Sequence, residues 1–307
     1  MAFSIRTDLA AEARELQPEL DGVREETEKR GSIVCTRIHI ETETAAKALD
    51  KERGSYISLE LPQNAEHQGD VLLEGSRALA AELTSLMAQY SPLESALVIG
   101  LGNRAVTPDS LGPRVAEAVY VTRHIKQYLP DVLPKPVRAV SAVAPGVLGI
   151  TGVETLEIVK GIAAHCKPDL ILAVDALASR RTERIGTVVQ LSDAGICPGA
   201  GVGNVRQGLT IETLHVPVIA LGVPLVVYAS TISRDTIGLI AGEMGLEGQE
   251  EQLKTLAEKL ISEHTGELII TPKDIDSILS DMTRMLADGI NMALFGADHE
   301  TVRSLIA

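Results

Sequence analysis

The middle of the chain alternates short apolar runs with longer segments of mixed polarity. The runs at 95–102, 137–145, 169–177 and 217–227 are apolar over most of their length, which is typical of buried strands. Residues 186–191 have the composition of a further strand, which we place at an edge of the sheet. Strands that alternate with helices predict a mainly parallel sheet covered on both faces.

Three helices are predicted around these strands. Residues 69–89 carry leucines near helical spacing. A second helix is capped by Asp109 or Ser110, has a proline in its first turn and runs to about Leu129. A third covers residues 152–165, with a glutamate early and a histidine late, as the helix macrodipole favours.

The two ends of the chain differ from this middle. Residues 10–30 are polar and are interpreted as a partly helical leader, whereas 33–40 and 55–61 have strand composition. The tail from about residue 248 is predicted to be helical. One α/β domain with an N-terminal β-rich elaboration and C-terminal helices fits this order better than two independent domains.

Composition limits the partners of the chain. Apolar residues make up 45 % of the sequence, but aromatics only 2 %, with no Trp, so the core is aliphatic and base-stacking surfaces are not expected. The net charge of −14 repels a phosphate backbone, and no Lys/Arg run offers a local exception. Direct binding to nucleic acid is therefore not expected.

The N-terminus lacks the basic and apolar blocks of a signal peptide. The most apolar stretch, 216–229, is shorter than the roughly 20 residues of a membrane span and contains two prolines. We expect a cytoplasmic protein with no membrane partner. The three cysteines lie far apart without a C-x-x-C pair, so neither a disulfide framework nor a zinc knuckle is indicated.

Several familiar catalytic motifs are missing from the sequence. It has no G-x-S-x-G, no H-E-x-x-H and no P-loop. The glycines at 100–103 follow a strand, but Ala105 stands where a dinucleotide-binding turn has its third glycine, which favours a tight turn over a nucleotide site. The glycine cluster at 195–204 fits a phosphate loop, a loop over a peptide cleft or a structural turn, and these alternatives stay open.

The seven histidines are scattered, with none three or four residues from another, so no metal site and no cofactor are predicted. Cys197 and His215 could form a thiol nucleophile and its base if the fold brings them together. Nothing in the sequence favours that pair over a structural role for each residue.

Two aspartates occupy positions where α/β proteins build their sites. Asp109 lies in the loop after the strand that ends at Leu101, and Asp175 is expected to terminate the apolar run DLILAV. Partial burial raises a carboxyl pKa, and two close carboxylates share a proton, so that one can activate water. The alternative is a helix cap for Asp109 and backbone hydrogen bonds for Asp175, and position alone favours it.

Several separated blocks, in one order, resemble the germination protease family of spore-forming bacteria. They are SIRTDLAAEA, GLGNRAVTPDSLGPRV, SAVAPGVLGITGVET, VDALASR and VQLSDAGICPGAGVGN, followed by NVRQGL. The resemblance implies an atypical aspartic endopeptidase that degrades small acid-soluble spore proteins during germination. It implies catalytic roles for Asp109 and Asp175, and a three-layer α/β/α fold similar to that of hydrogenase-maturation peptidases. It also implies a homotetramer in the cytoplasm of the forespore or spore core.

The family is made as a zymogen that removes its own N-terminus. Residues 7–12, Thr-Asp-Leu-Ala-Ala-Glu, match the context that the family cleaves: an acidic, an aliphatic and a small residue, with a glutamate further on. We therefore predict processing between Leu9 and Ala10 in an exposed leader. The propeptide is then 1–9, and residues 10–307 form the peptidase domain.

Four arginines flank the two aspartates: Arg104, Arg114, Arg180 and Arg181. Because a guanidinium can hold a carboxylate with two hydrogen bonds, we predict that they bind the acidic residues of the substrate. Surface ion pairs are the alternative for each of them. Other functions that stay open are a metal-dependent maturation peptidase of similar fold, a nucleotide-binding α/β enzyme, and a non-enzymatic storage or scaffold protein.

Overall fold

The structure is a computed structural model that describes residues 7–63, 68–134, 136–197, 207–245, 252–253, 255–257, 260–261 and 268–306. Within these residues, nine strands form one sheet. The strands are β1 Val23–Arg30, β2 Ile33–Ile40, β3 Gly54–Glu60, β4 Ser95–Gly100, β5 Ala139–Val143, β6 Leu170–Ser179, β7 Val188–Ser192, β8 Val218–Tyr228 and β9 Ile269–Ile270. The helices are α1 Ala10–Leu16, α2 Glu43–Leu49, α3 Gly69–Ala88, α4 Leu111–Ala118, α5 Arg123–Tyr128, α6 Leu148–Thr151, α7 Thr155–Cys166, α8 Ile211–Leu214, α9 Ala229–Glu243, α10 Ile275–Phe295 and α11 His299–Ile306.

The sheet has a parallel part and an antiparallel part. Its order is β1-β2-β3-β7-β8-β6-β4-β5, with β9 on the end of β8. Strands β5, β4, β6 and β8 run parallel, and the pairs from β8 through β7 and β3 to β1 are antiparallel. The α/β class is confirmed, and the predicted N-terminal β-rich elaboration extends the same sheet.

Helices cover both faces of this sheet. Alternate side chains of β6 enter different cores: Leu172 and Val174 pack with α3, α4 and α10, while Ile171 and Ala173 pack with α7 and α8. Short helices α1 and α2 cover the second face over β2 and β3. A strand buried on both faces must be apolar at nearly every position, which explains the continuous apolar runs of the sequence.

Strand β7 was expected at an edge and lies inside the sheet, between β3 and β8. All five of its residues are buried. Its two polar residues are Gln190 and Ser192. They are buried together on the face that α1 and α2 cover, where polar groups form the site described below.

The predicted N-terminal helix over residues 10–30 is wrong beyond Leu16. Residues Val23–Arg30 form β1, a polar outer strand without hydrophobic alternation. It is held by its antiparallel ladder with β2 rather than by burial of its own side chains. An ion-pair cluster adds to this, because buried Glu82 of α3 binds Arg30 of β1.

The helix predicted from Ser110 to Leu129 is divided in two. Helix α4 ends at Ala118, and α5 begins after Thr122, whose buried hydroxyl donates to the Arg138 carbonyl (2.6 Å) and accepts from the Val140 N–H (2.9 Å). These bonds to β5 and to the residue before it interrupt the predicted helix. The helix predicted at 152–165 likewise begins only at Thr155, after Gly152 has ended α6 with φ of +70°.

The helical tail is confirmed for 275–295, which forms α10. The predicted helix from about 248 lies largely outside the described residues, as does most of the glycine cluster at 195–204. Among the helices that the structure describes, none combines the length and the apolar character that crossing a bilayer requires.

Candidate active site

Asp175 lies within β6 and does not end it, because the strand continues to Ser179. The neighbouring strand β4 ends at Gly100, which pairs with Val174. From Asp175 onward, β6 has therefore lost its partner on one side. Asp175 thus lies level with the carboxyl end of β4, as the prediction for parallel strands requires. It does not lie at the carboxyl end of its own strand, and that part of the prediction is wrong.

A row of paired residues crosses three strands at this level. Asp175 of β6 pairs with Gly222 of β8, and Gly222 pairs with Gln190 of β7. Residues paired across a sheet point to the same face, so the carboxyl and amide groups share a face about 10 Å apart at Cα. Gly222 contributes no side chain between them. A Cβ there would lie 2.5 Å from Cγ of Leu177.

Asp109 is brought to the same place by the glycine turn after β4. Gly102 has φ of +106°, and a Cβ on it would lie 2.1 Å from the Asp109 carbonyl oxygen. Only glycine allows this close approach. The Asn103 N–H donates to Oδ2 of Asp109 at 2.7 Å. The glycines at 100–103 therefore form the tight turn that the sequence favoured.

Asp109 does not cap the following helix. It ends a short 3₁₀ turn, Thr107–Asp109, and the N-cap position of α4 belongs to Ser110. The Ser110 hydroxyl donates to the Thr107 carbonyl at 2.8 Å. The helix-cap alternative for Asp109 is thus not what the structure shows.

The two carboxyl groups interact. Burial raises the pKa of Asp175 well above its usual value, and the charge of Asp109 raises it further. The Ala176 N–H donates to Oδ1 of Asp175 at 2.9 Å and opposes this shift. Both aspartates line one cavity of about 780 Å³. A buried carboxyl with a raised pKa beside a second carboxyl is the electrostatic arrangement of an acid–base pair.

The N-terminal segment fills part of this cleft. Leu9 and Ala10 are both fully buried, so the expected exposed leader is wrong for the described residues from Thr7. The Asp8 N–H donates to the Ala178 carbonyl at 2.9 Å, and the Ala178 N–H donates to Oδ2 of Asp8 at 2.7 Å. Because Asp8 also raises the pKa of Asp175, the segment lies beside the aspartate pair.

Side chains of the cleft grip the peptide around Leu9. Its side chain packs against Leu177, Val188 and Ile196. Gln190 bonds the backbone on both sides of it: Oε1 accepts from the Ala10 N–H (2.7 Å), and Nε2 donates to the Asp8 carbonyl (3.0 Å).

The predicted scissile bond is also tied into a helix. Leu9 is the N-cap of α1, and its carbonyl accepts the Ala13 N–H at 3.1 Å. Both polar groups of the Leu9–Ala10 peptide are therefore hydrogen-bonded, because Gln190 takes the N–H. Attack on this carbonyl requires the first turn of α1 to open.

The two acidic side chains of the N-terminal segment, Asp8 and Glu12, both interact with residues outside it. Lys51, after α2, donates to the Thr7 carbonyl at 2.9 Å, and its charge acts on the Asp8 carboxyl. Burial raises the pKa of Asp8 and lowers the pKa of Lys51, and each group opposes the shift of the other. Glu12 is buried and accepts the backbone N–H groups of Arg180 (2.7 Å) and Arg181 (3.0 Å).

Three of the four predicted arginines pair their guanidinium groups with acidic residues that do not line the cavity. The guanidinium groups of Arg180, Arg181 and Arg104 pair with Asp235, Glu15 and Glu117 respectively. Arg114 lies in the first turn of α4. Of the described residues, those that line the cavity include none of the four.

The thiol alternative receives little support from the geometry. Cys197 lines the cavity, but burial and the charge of Glu52 raise the pKa of its thiol, which lowers the thiolate fraction. His215 ends α8 in a left-handed conformation, away from the cavity lining. Over the part of the chain that the structure describes, no group of three His, Cys, Asp or Glu residues is placed to hold a metal ion.

Lys51 and Gln190 were missed by sequence reasoning. For Gln190 a signal existed, since a polar residue inside an apolar strand must find a partner when it is buried. For Lys51 there was none, because it follows a short helix that the sequence pattern did not predict. Gly222 also gave no signal, since its role depends on which strands lie beside it.

The fold and site define an α/β protein whose carboxylate-lined cleft is occupied by its own N-terminal segment. The model of the germination protease family matches residues 2–260. A germination protease of Caldanaerobacter subterraneus subsp. tengcongensis is 45 % identical over 309 residues, covering 96 % of this chain and 95 % of the relative. Germination proteases of Clostridium tetani (42 % over 310 residues, 95 % of this chain and 96 % of the relative) and Bacillus velezensis (37 % over 353 residues, 98 % and 95 %) are also similar.

The chain belongs to the germination protease family, and it is therefore a protease. Among solved structures, a [NiFe] hydrogenase maturation protease, HycI of Thermococcus kodakarensis, matches 58 % of this chain and 97 % of its own at 21 % identity, with a TM-score of 0.31.

Proposed function

We propose that this protease is an aspartic endopeptidase in which Asp109 and Asp175 activate water. The observation that carries the proposal is the shared cavity, in which the Asp109 charge and burial together raise the pKa of Asp175. In the working state Asp175 holds the proton and Asp109 is ionised. Asp109 takes a proton from water, which attacks the peptide carbonyl, and Asp175 donates its proton as the amine leaves.

The substrate of this reaction is proposed from the family. The substrates are small acid-soluble spore proteins, degraded during germination in the spore core. The chain is made as a precursor, a homotetramer in the cytoplasm of the forespore, and cuts its own Leu9–Ala10 bond to remove residues 1–9. Asp8, which precedes that bond by one residue, lines the same cavity as Asp175 and acts on its charge, which supports the self-cleavage. A mass in solution near four times 32.6 kDa tests the tetramer.

We also propose that Arg104, Arg114, Arg180 and Arg181 attract the acidic residues of substrates. Arg181 supports this proposal best, since its guanidinium already pairs with Glu15 of the chain's own N-terminal helix. Arg→Gln variants at Arg104, Arg114, Arg180 and Arg181, assayed with peptides that carry Glu or Gln at the acidic positions, test it. If all four variants discriminate Glu from Gln as the wild type does, the guanidinium groups do not read the motif.

The aspartate pair is tested by Asp109→Asn and Asp175→Asn. Each change removes an ionisable group at nearly constant volume, so each variant should fold and lose more than about a thousandfold in peptide cleavage. Asp70→Asn, at an exposed position in the first turn of α3, is the matched control and should keep its activity. Near-wild-type turnover in either site variant would remove that aspartate from the mechanism.

A further inference from the structure

The groove that holds residues 7–9 has three parts outside the aspartate pair. The first takes an acidic side chain: the Ala178 N–H donates to the Asp8 carboxyl at 2.7 Å, and the Lys51 ammonium lies close enough to act on it. Lys51 also donates to the Thr7 carbonyl at 2.9 Å. A partly buried lysine that bonds the backbone and acts on the neighbouring carboxyl charge is suited to recognise an acidic residue in an extended peptide.

The second part takes an aliphatic side chain. Leu9 is fully buried in a pocket formed by Leu177, Val188 and Ile196, named here the aliphatic pocket. Leu177 shares a face of β6 with Asp175, two residues away along the strand. The residue in this pocket is therefore held beside the catalytic pair.

The third part takes the backbone. The Gln190 amide accepts from the N–H after Leu9 and donates to the carbonyl before it. These groups occur in every peptide, so Gln190 can hold the main chain whatever the side chains are. Its place in the row Asp175–Gly222–Gln190 sets the distance between the held backbone and the Asp175 carboxyl.

We infer that this groove is the recognition site for external substrates, and that residues 7–9 occupy it in the intact chain. Lys51 with the Ala178 N–H selects an acidic residue, the aliphatic pocket selects the next residue, and Gln190 positions the main chain. The inference rests on the proposed function of Asp109 and Asp175. The new assignment is which residues of this chain read the acidic and the aliphatic positions of the cleavage context described above.

The acidic part is tested on chains that have lost residues 1–9 by their own cleavage. The probes are two peptides that copy residues 5–14, one with Asp and one with Asn at the position of Asp8. Lys51→Met should lower kcat/KM for the Asp peptide about ten- to a hundredfold more than for the Asn peptide, which loses only the bond from Lys51 to its backbone carbonyl. Lys47→Met removes an exposed lysine of α2 and should preserve the discrimination.

If Lys47→Met and Lys51→Met lower kcat/KM for the Asp peptide equally, the peptide responds to the overall positive charge near the groove and not to a specific contact with Lys51. That result would overturn the assignment of Lys51. Gln190→Ala should raise KM about tenfold or more for both peptides and leave their ratio unchanged, because the amide holds only backbone. A purely structural role for Gln190 would lower the stability of the protein without this rise in KM.

A binding experiment keeps the inference testable without catalysis. In the full chain carrying Asp175→Asn, a fluorescent peptide copying residues 5–14 competes with the chain's own segment. Adding Leu9→Ala loosens that segment and should tighten peptide binding about tenfold or more, measured by anisotropy. Adding Lys51→Met should reduce the gain more for the Asp peptide than for the Asn peptide, because only the Asp peptide also loses a charge partner.

Equal binding with and without Leu9→Ala would show that the peptide does not use this groove, and the inference would fail. The two proposals fail in distinguishable ways. If the peptide binds as expected, but the self-processed wild type cleaves nothing, the catalytic role of the aspartates is wrong and the groove stands.

Discussion

At the scale of single residues, Asp175 is unusual because a carboxyl group stands among apolar neighbours inside a sheet. Val174 before it and Leu177 two residues after it are both buried, and its carboxyl accepts a hydrogen bond from the Ala176 N–H. Burial disfavours the charged form, and a second carboxyl at Asp109 disfavours it again. The residue therefore costs stability when ionised, which is expected where a group is kept for chemistry rather than for packing.

This cost gives a dependence of stability on pH with a definite sign. The folded pKa of Asp175 is raised above its ordinary value of 3.8, so between these two values the folded chain binds more protons than the unfolded chain. The stabilisation from its protonation is complete below about pH 4 and is lost as pH rises through the folded pKa. Asp175→Asn should remove this loss, so its Tm advantage over the wild type should grow from pH 5 to pH 8.

The comparison uses intact chains whose mass has been checked, since self-cleavage would also change Tm. Asp70→Asn, exposed on α3, should follow the wild type at every pH. A Tm difference for Asp175→Asn that is constant across the range would mean that Asp175 titrates in the folded chain as it does in the unfolded one.

At the scale of elements, the N-terminal segment is held by tertiary contacts. Helix α1 has only 7 residues, too few to be stable alone. Its alanines pack against Ile38, Ile40 and Tyr56, and its Glu12 binds the end of β6. A short helix fastened at several points holds Leu9 against Leu177 and Val188 and the Ala10 N–H on Gln190.

Leu9→Lys should block or greatly slow self-cleavage, because an ammonium cannot replace the leucine side chain in the aliphatic pocket without a large desolvation cost. Intact-mass analysis over time gives the rate and the position of the cut. Leu16→Lys is the matched control at the end of α1, where the leucine is 38 % exposed, and should process normally. A first cut elsewhere, or undiminished cutting in Leu9→Lys, would contradict the proposed processing site.

A different element contact holds the outer strands. Buried Glu82 of α3 accepts from Nε (2.9 Å) and Nη2 (2.5 Å) of Arg37 on β2 and from Arg30 on β1 (2.7 Å). Glu82→Ala removes the buried partner of both arginines and leaves them only the more exposed Glu28, so it should lower the free energy of unfolding by about 3 kcal/mol, measured in urea. Arg77→Ala, exposed on the same helix, should cost well under about 1 kcal/mol.

At the scale of the whole molecule, one sheet joins a parallel part to an antiparallel part. The parallel part carries the aspartates, and the antiparallel part carries Gln190 and the strands beneath α1. The cleft lies at their junction, with β8 pairing to both. Because the N-terminal segment docks across this junction, the intact chain keeps its own peptide where a substrate would bind.

External activity should therefore appear only as the segment is lost. The rate of hydrolysis of an added peptide should rise in proportion to the fraction of chains that have lost residues 1–9. Both quantities can be followed in one sample by fluorescence and intact mass. Full activity in chains that remain uncut would show that the segment leaves the cleft without cleavage.

The sequence by itself determined the α/β class, the buried strands and the neighbourhood of the two aspartates. The reason is that these features are local: a strand buried on both faces must be apolar throughout, and the turn after β4 needs glycine where φ is positive. Polar β1 and the division of the helix after Ser110 escaped the sequence, since pairing with β2 and the bonds of Thr122 to β5 decided them.

Only the tertiary structure brought Lys51, Gln190 and residues 7–10 together. Gln190 lies opposite Asp175 because β7 and β6 pair with the two sides of β8 in one register. A shift of one residue would turn Gln190 to the other face of the sheet. Strand order and register arise from the packing of distant segments, so no pattern near Leu9 could show that it would be buried beside the aspartate pair.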